Sequence, residues 1–399
     1  ETYRRNDRHD YPVLPMWNSI LAKQIFGHPN IESLRRELQR NAQLRQICGF
    51  DIYAGVDAVP SASVYSRFLK RLAEYHDEVT QIFETLRERC YAEFPGFGTE
   101  LGCDGKALPS FAARAPRCSP GDQRGDHDAR WGAHTTRSQR SDGTKQEKTE
   151  YWFGFKLHMI ADTTYELPVE FSVLPANASE TPVMHELLSR LERRTPSVLE
   201  RCEVFTADRG YDDRKLVKRL WDEYEIKPVI DIRNTWKDAD STHPISGLEN
   251  VTYDWQGTVR CVCPVRNREQ EMAFGGFERD RMTLKYRCPA RHYGYECPGA
   301  RSCPITSSVR VPLETDRRIF TPVARSSYRW KSLYRARSAV ERINGRIDTS
   351  FGFEHHTIRG QKKMTVMATI SLSLMLAVAL GRAAEKQDEH IRSLVKPAA

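Results

Sequence analysis

Val204-Phe205-Thr206-Ala207-Asp208-Arg209-Gly210-Tyr211-Asp212 is the stretch on which the fold of this chain turns. A short apolar run suited to a buried strand is followed at once by an acid and a glycine, so the strand delivers a carboxylate to a turn. A carboxylate there either builds the turn by bonding nearby backbone or helps to hold a cation. A stretch of the same kind, Leu101-Gly102-Cys103-Asp104-Gly105-Lys106-Ala107-Leu108, comes earlier. A third acid, Glu341, lies much later, in Ser338-Ala339-Val340-Glu341-Arg342-Ile343-Asn344-Gly345-Arg346, read as helical. Two strand-borne aspartates and a helix-borne glutamate are the donor set of a two-metal phosphodiester site. Such ions stand about 4 Å apart and need several hard oxygen ligands converging from different elements.

The 399 residues are enough for two or three domains with ample core. Lys and Arg outnumber Asp and Glu by 61 to 53, and the resulting charge of +8 favours a polyanionic partner. Basic residues gather between 114 and 148, where Arg114, Arg117, Arg124, Arg130, Arg137, Arg140, Lys145 and Lys148 lie among Gly, Ser and Asp. That stretch reads as a solvated loop or as a phosphate-contacting one. The polar, charged start shows no signal-peptide pattern. The apolar run Met364 to Leu380 contains Thr365, Thr369, Ser371 and Ser373 and is shorter than the ~20 residues a membrane span needs, so a buried helix is expected and no membrane partner.

Five of the ten cysteines, Cys261, Cys263, Cys288, Cys297 and Cys303, fall close together, which suits a metal knuckle in a reducing compartment. Tetrahedral zinc takes four soft ligands, and a small β-rich insertion without a core leans on such a metal. Cys263, Cys288, Cys297 and Cys303 are the candidates for a structural Zn²⁺, and free or partly oxidised cysteines are the alternative.

Five segments follow from patterning. Residues 1–95 read as all-α, with Ile20, Leu21, Ile25 and Phe26, then Leu34, Leu38, Leu44 and Ile47, at helical spacing. A helix begins after Pro60-Ser61 and exposes Arg67, Lys70 and Arg71, either to read a DNA major groove or as the solvated face of a dimerisation scaffold. Residues 96–232 alternate strands (99–104, 151–161, 167–174, 202–207, 227–230) with helices at 180–194 and 213–224. Residues 233–325, rich in Gly, Pro, Arg and Cys, are too long for a structureless loop and read as a β-rich insertion. Residues 326–384 supply the helix of Glu341 and the apolar helix, and 385–399 form a polar tail.

Asp104 in DGKAL, Asp208 in TADRGYDD and Glu341 in Tyr334-x-x-Arg337-x-x-x-Glu341 resemble the acidic triad of bacterial insertion-sequence DDE transposases. Gly154-Phe155-Lys156-Leu157-His158, Asp128-Ala129-Arg130-Trp131 and Asn177-Ala178-Ser179-Glu180-Thr181 extend the likeness over most of residues 15 to 382. The resemblance implies an α/β fold, an RNase H-like mixed sheet flanked by helices, interrupted by the Cys-containing insertion before the catalytic helix. It implies two Mg²⁺ or Mn²⁺ ions on Asp104, Asp208 and Glu341, cleavage and transfer of double-stranded DNA at terminal inverted repeats and target sites, a homodimer in the synaptic complex, and a cytoplasmic, nucleoid-associated location. A non-catalytic DNA-binding descendant and a nuclease without strand transfer are the other readings. In relatives with a Tyr-Arg-Glu-Lys signature a lysine stands seven residues after the glutamate. Here that position is Asp348, and Arg346 or Arg342 are the residues able to supply the charge. Tyr334 and Arg337 are expected at phosphates, Arg337, one helical turn from Glu341, through its bidentate fork. Lys156 and His158 alternate along one strand, so both face either the scissile phosphate or solvent.

Overall fold

The structure, a computed structural model, describes residues 11–112, 125–139, 145–237, 240–265 and 267–394. Five helices open it: α1 (Val13–Ile25), α2 (Ile31–Arg40), α3 (Ala42–Cys48), α4 (Ala62–Glu74) and α5 (His76–Glu93). Their starts are set by side chains that take up free amides: Asn30 accepts from Ser33 N, Asn41 from Leu44 N and Ser61 from Val64 N. Gly49, at φ 90°, ends α3 in the left-handed region. There follow β1 (Glu100–Pro109), β2 (Arg130–Gln139), β3 (Lys145–Asp162), β4 (Leu167–Pro175), α6 (Glu180–Arg194), α7 (Pro196–Arg201), β5 (Val204–Ala207), α8 (Arg214–Lys218) and β6 (Lys227–Ile230). The expected helix at 213–224 is α8 followed by a π-helical turn over Arg219–Glu223. Short strands β7 (His243–Pro244), β8 (Val251–Tyr253), β9 (Val259–Val262), β10 (Glu269–Glu271), β11 (Ala273–Glu278), β12 (Thr283–Arg287) and β13 (Ser308–Pro312) follow, with α9 (Pro289–Tyr293) between β12 and β13. The chain closes with α10 (Tyr328–Arg335), α11 (Ser338–Thr349) and α12 (Gln361–Ala384).

The fold is mixed α/β and divides into two compact units, one from Glu1–Phe97, Gly105–Ser179 and Val340–Ala399, the other from Gly98–Asp104 and Glu180–Ala339. β1 is continuous across that division.

In the first unit β3 runs antiparallel to β2 through its first half, Arg130 opposite Gly154, and to β4 through its second, Phe155 opposite Pro175. The later half of β1 borders β3. A Cβ at Gly154 would stand 2.3 Å from the Leu108 carbonyl oxygen, so glycine is what lets the two backbones meet. The part of the basic 114–148 stretch that is described is therefore ordered as a ribbon rather than a loop, with Thr135 and Thr149 hydroxyls paired across it at 2.9 Å; residues 113–124 and 140–144 lie outside the described residues. The apolar run is α12, and 72% of its most hydrophobic window is buried, against α5 and β4 among others. Two polar links sit beside these apolar contacts: Gln24 Nε2 donates to Ser371 Oγ at 2.7 Å, and buried Arg87 donates to the Val169 carbonyl and the Glu170 carboxylate.

In the second unit the first residues of β1, β5 and β6 form a parallel run, Glu100 beside Val204 and Val204 beside Lys227. α10 packs on β5 and β6, with Trp330 buried against Val204, Val229 and Val323. The 233–325 segment is indeed strand-built, as β10-β9-β8-β7 and β11-β12-β13. It does not lack a core, however. Leu284, Tyr286, Val311, Ile319 and Phe320 are buried together, and Trp236, Trp255, Cys261, Cys288 and Cys303 pack against them. Hydrophobic burial thus supplies what a structural metal was expected to replace.

Candidate active site

Within the second unit the geometry converges on Asp104 and Asp208. Gly102 of β1 lies beside Thr206 of β5, and Thr206 Oγ1 donates to the Leu101 carbonyl at 3.2 Å. The paired register ends there, two residues before Asp104 on one strand and two before Asp208 on the other. Asp208 ends its strand by accepting from Gly210 N at 2.8 Å. A Cβ at Gly210 would stand 2.1 Å from Glu180 Oε2 and 2.9 Å from Asp208 Oδ1. The carboxylates of Glu180 and Asp208 thus crowd one backbone position, and a side chain there would have to push the Glu180 carboxylate aside. Glu180, the first residue of α6, did not emerge from sequence reading as a site residue; its only signal was its place in Asn177-Ala178-Ser179-Glu180-Thr181.

Two buried groups report the field of these acids. The Cys103 thiol is pushed well up, first by burial and then by Asp208, Asp104 and Glu180, with Arg337 opposing. The Tyr211 hydroxyl is pushed up by burial and then by Cys103, Glu180, Asp104 and Asp208. Three carboxylates on one neighbourhood make it strongly negative, and Arg337 lies within range to offset part of that charge. The Arg337 guanidinium sits 5.7 Å from the centre of the Tyr334 ring, and Tyr334 stacks on Trp330 at 4.7 Å. This ladder holds the arginine's approach direction. Burial raises the Tyr334 hydroxyl, as do Asp231 and Asp208 to a smaller extent.

The neighbouring acids do other work. Buried Asp212 accepts from Arg233 N at 2.8 Å and Arg318 Nη1 at 2.7 Å, and Asp213 caps α8 through Leu216 N.

In the first unit Glu341 is exposed in the first turn of α11, which is anchored by buried Val340, Ile343 and Ile347. Arg346 and Arg342, the residues expected to supply the missing lysine's charge, gather on Glu166. Arg342 Nε bonds Glu166 Oε1 at 2.8 Å, Arg346 bonds the Glu166 carbonyl, and Arg392 joins them at 2.9 Å. Glu166 takes φ 56°, unusual for a non-glycine residue, with this cluster of arginines around it. Asp348 is met instead by Lys106. The expectation for His158 is corrected: the residue is fully buried, because the middle of β3 is covered on both faces, and it has no surface to offer DNA. Lys156, on the same strand, is partly exposed with its ammonium 5.9 Å from the Trp152 ring. Arg67 and Lys70 are exposed on α4 as expected, and Arg71 pairs with Glu74 at 2.9 Å.

Cys261, Cys263, Cys288, Cys297 and Cys303 are not joined in disulfides. The Cys261 thiol is raised to about 11 by burial and then by Cys288, Cys303 and Cys297, which places these four near one another. Among the described residues no group of three or more His, Cys, Asp or Glu side chains is arranged to hold a metal ion.

Residues 119–377 match the family model described as Transposase DDE domain, and residues 1–71 match that of a transposase domain (DUF772). No curated protein matches the chain. A solved piggyBac transposase synaptic complex with hairpin DNA is similar at 12% identity and a TM-score of 0.32, over 100% of this chain and 80% of that one.

Proposed function

The chain belongs to the transposase DDE-domain family and is a DNA transposase; we propose that it cuts and rejoins DNA through Asp104, Asp208 and Glu341. The observation that carries this reading is the pair of aspartates on two adjacent parallel strands, Asp104 within β1 and Asp208 directly after β5, in a neighbourhood made negative by Glu180 as well. Their oxygens are the hard donors that divalent magnesium or manganese takes, which is the fit such ions require. When bound, two such ions supply charge neutralisation at the scissile phosphate and acidify the attacking hydroxyl. The protein's own part is to fix the carboxylates: the pairing of β1 with β5 sets their two strands side by side, the Gly210 amide orients Asp208, and the buried face of α11 holds Glu341. Arg337, kept on the Tyr334 ring, is suited to grip a phosphate oxygen pair.

The strand order around β1 supports the RNase H-like reading, since antiparallel β4 and β3 lead to β1 and parallel β5 and β6 follow it. The helices of residues 1–95 are assigned to end recognition through Arg67 and Lys70, the catalytic core to 96–232 and 326–384, and double-stranded DNA bound by a homodimer is the working complex. A Zn²⁺ on the insertion's thiols is retained as a separate reading that elemental analysis decides. The functional test is strand cleavage of linear DNA carrying the element's ends with Mg²⁺ present. Asp104→Ala, Asp208→Ala and Glu341→Ala should each abolish cleavage and leave end binding intact; wild-type cleavage by any one of them overturns the assignment.

A further inference from the structure

The first unit holds a cavity of about 220 Å³ lined by residues of α1, α2 and α4, by residues 357–359 and by the first turns of α12. Ile20, Leu69, Ile358 and Met367 give it an apolar wall. Its charged lining is Lys23, Arg359 and Lys363, and none of its lining residues is a carboxylate. Lys23 decides what this combination means. It is only 7% exposed, its ammonium donates to Gln24 Oε1 at 3.3 Å, and no described carboxylate pairs with it. A buried ammonium without a counter-ion costs several kcal/mol. Charge and shape together therefore call for an anion that carries an apolar body.

We propose that this cavity binds a single nucleotide, its phosphate on the side of Lys23, Arg359 and Lys363 and its base against Leu69 and Met367. The volume lies below the ~300 Å³ at which drug-sized sites begin, so one base-sized group enters and a duplex does not. A nucleotide at a strand's end or turned out of the stack meets that limit, at a cost of a few kcal/mol for unstacking, and so does a free mononucleotide. The DNA source rests on the transposase reading above.

The test uses the full chain with a short single-stranded oligonucleotide, the blunt duplex of the same sequence, free dTMP and inorganic phosphate. Lys23→Met removes the buried charge while keeping the stem, and Leu69→Trp fills the cavity while keeping every cation; thermal melting confirms that both fold. A strand nucleotide as occupant predicts that both variants lose affinity for the single strand by about tenfold while duplex affinity stays within about twofold. If instead dTMP, and not inorganic phosphate, raises the melting temperature of the wild type alone while single-strand binding is unchanged, the occupant is a free nucleotide. Equal losses on single strand and duplex, or no change in any arm, overturn the proposal. Wild-type protein that binds no DNA counts against the DNA-acting reading, and the dTMP arm then judges the cavity by itself.

Discussion

Lys106 Nζ meets Asp348 Oδ2 at 2.5 Å, joining the strand of Asp104 to the helix of Glu341 two turns beyond that acid. Position 348 is where the Tyr-Arg-Glu-Lys signature puts a lysine, and the positive charge reaches it here from β1. The Lys106 side chain is 9% exposed and that of Asp348 37%, so the pair lies inside the range where losing one partner is costly. Asp348→Lys sets two ammonium groups against each other and should destabilise by about 2–3 kcal/mol. The double exchange Lys106→Asp with Asp348→Lys should recover at least half of that. Urea unfolding of the three proteins measures it, and a double variant no better than the single one shows that the pair does not couple.

Asp212 and Asp208 are four residues apart and should behave oppositely. Asp212→Ala strips the partner from Arg318 and from Arg233 N in a buried place, and the expected loss is about 3–5 kcal/mol. Asp208→Ala removes one of three crowded acids and one turn bond, so stability should change by less than about 1 kcal/mol while cleavage vanishes. Denaturation midpoints and cleavage assays on both variants separate a structural acid from a catalytic one. Comparable midpoints would mean that Asp212 is not the anchor its contacts describe.

β1, the second half of β3 and β4 to β6 were legible because burial imposes pattern and length on the sequence. Asp104 and Asp208 were legible for the same reason, as acids where such runs stop. The β2–β3 ribbon was not, since its outer half is polar on both faces, with Thr135 facing Thr149, and leaves no hydrophobic alternation to read. Alternation placed Lys156 and His158 on one side of β3 but could not reveal that the strand's centre is covered there. Glu180 over Gly210 and Lys106 on Asp348 are encounters between distant residues, the latter 242 positions apart, and no local pattern encodes them.

The insertion's thiols offer a direct measurement. Four thiolates around Zn²⁺ would bring about one equivalent of zinc per chain, and binding would release the protons that burial and mutual repulsion now keep on groups such as Cys261. Elemental analysis of protein purified reduced and free of chelator decides between this and packing. With no zinc found, Cys261, Cys288 and Cys303 are side chains of the hydrophobic core they touch, and replacing Cys288 with Ala should then cost about 1–2 kcal/mol, as for a small buried side chain.

Lys23 sets a pH signature on stability. Burial lowers its ammonium from the usual 10.5 to about 8, so between those values the unfolded chain holds a proton that the folded chain has released. Stability contributed at this site therefore rises with pH across that window; below about 8 both states are protonated and the folded state bears the full penalty. Lys23→Met removes the group, and at pH 7 it should be more stable than the wild type by up to about 3 kcal/mol. That advantage should shrink as the pH is raised towards 10, because the wild-type amine is by then neutral when folded. Taking the difference between variant and wild type cancels the tyrosines and cysteines that titrate in the same range. Chemical denaturation at pH 7 and pH 9.5 supplies both numbers, and a difference that does not change with pH means that the Lys23 ammonium is stabilised in place by an anion the folded protein already holds.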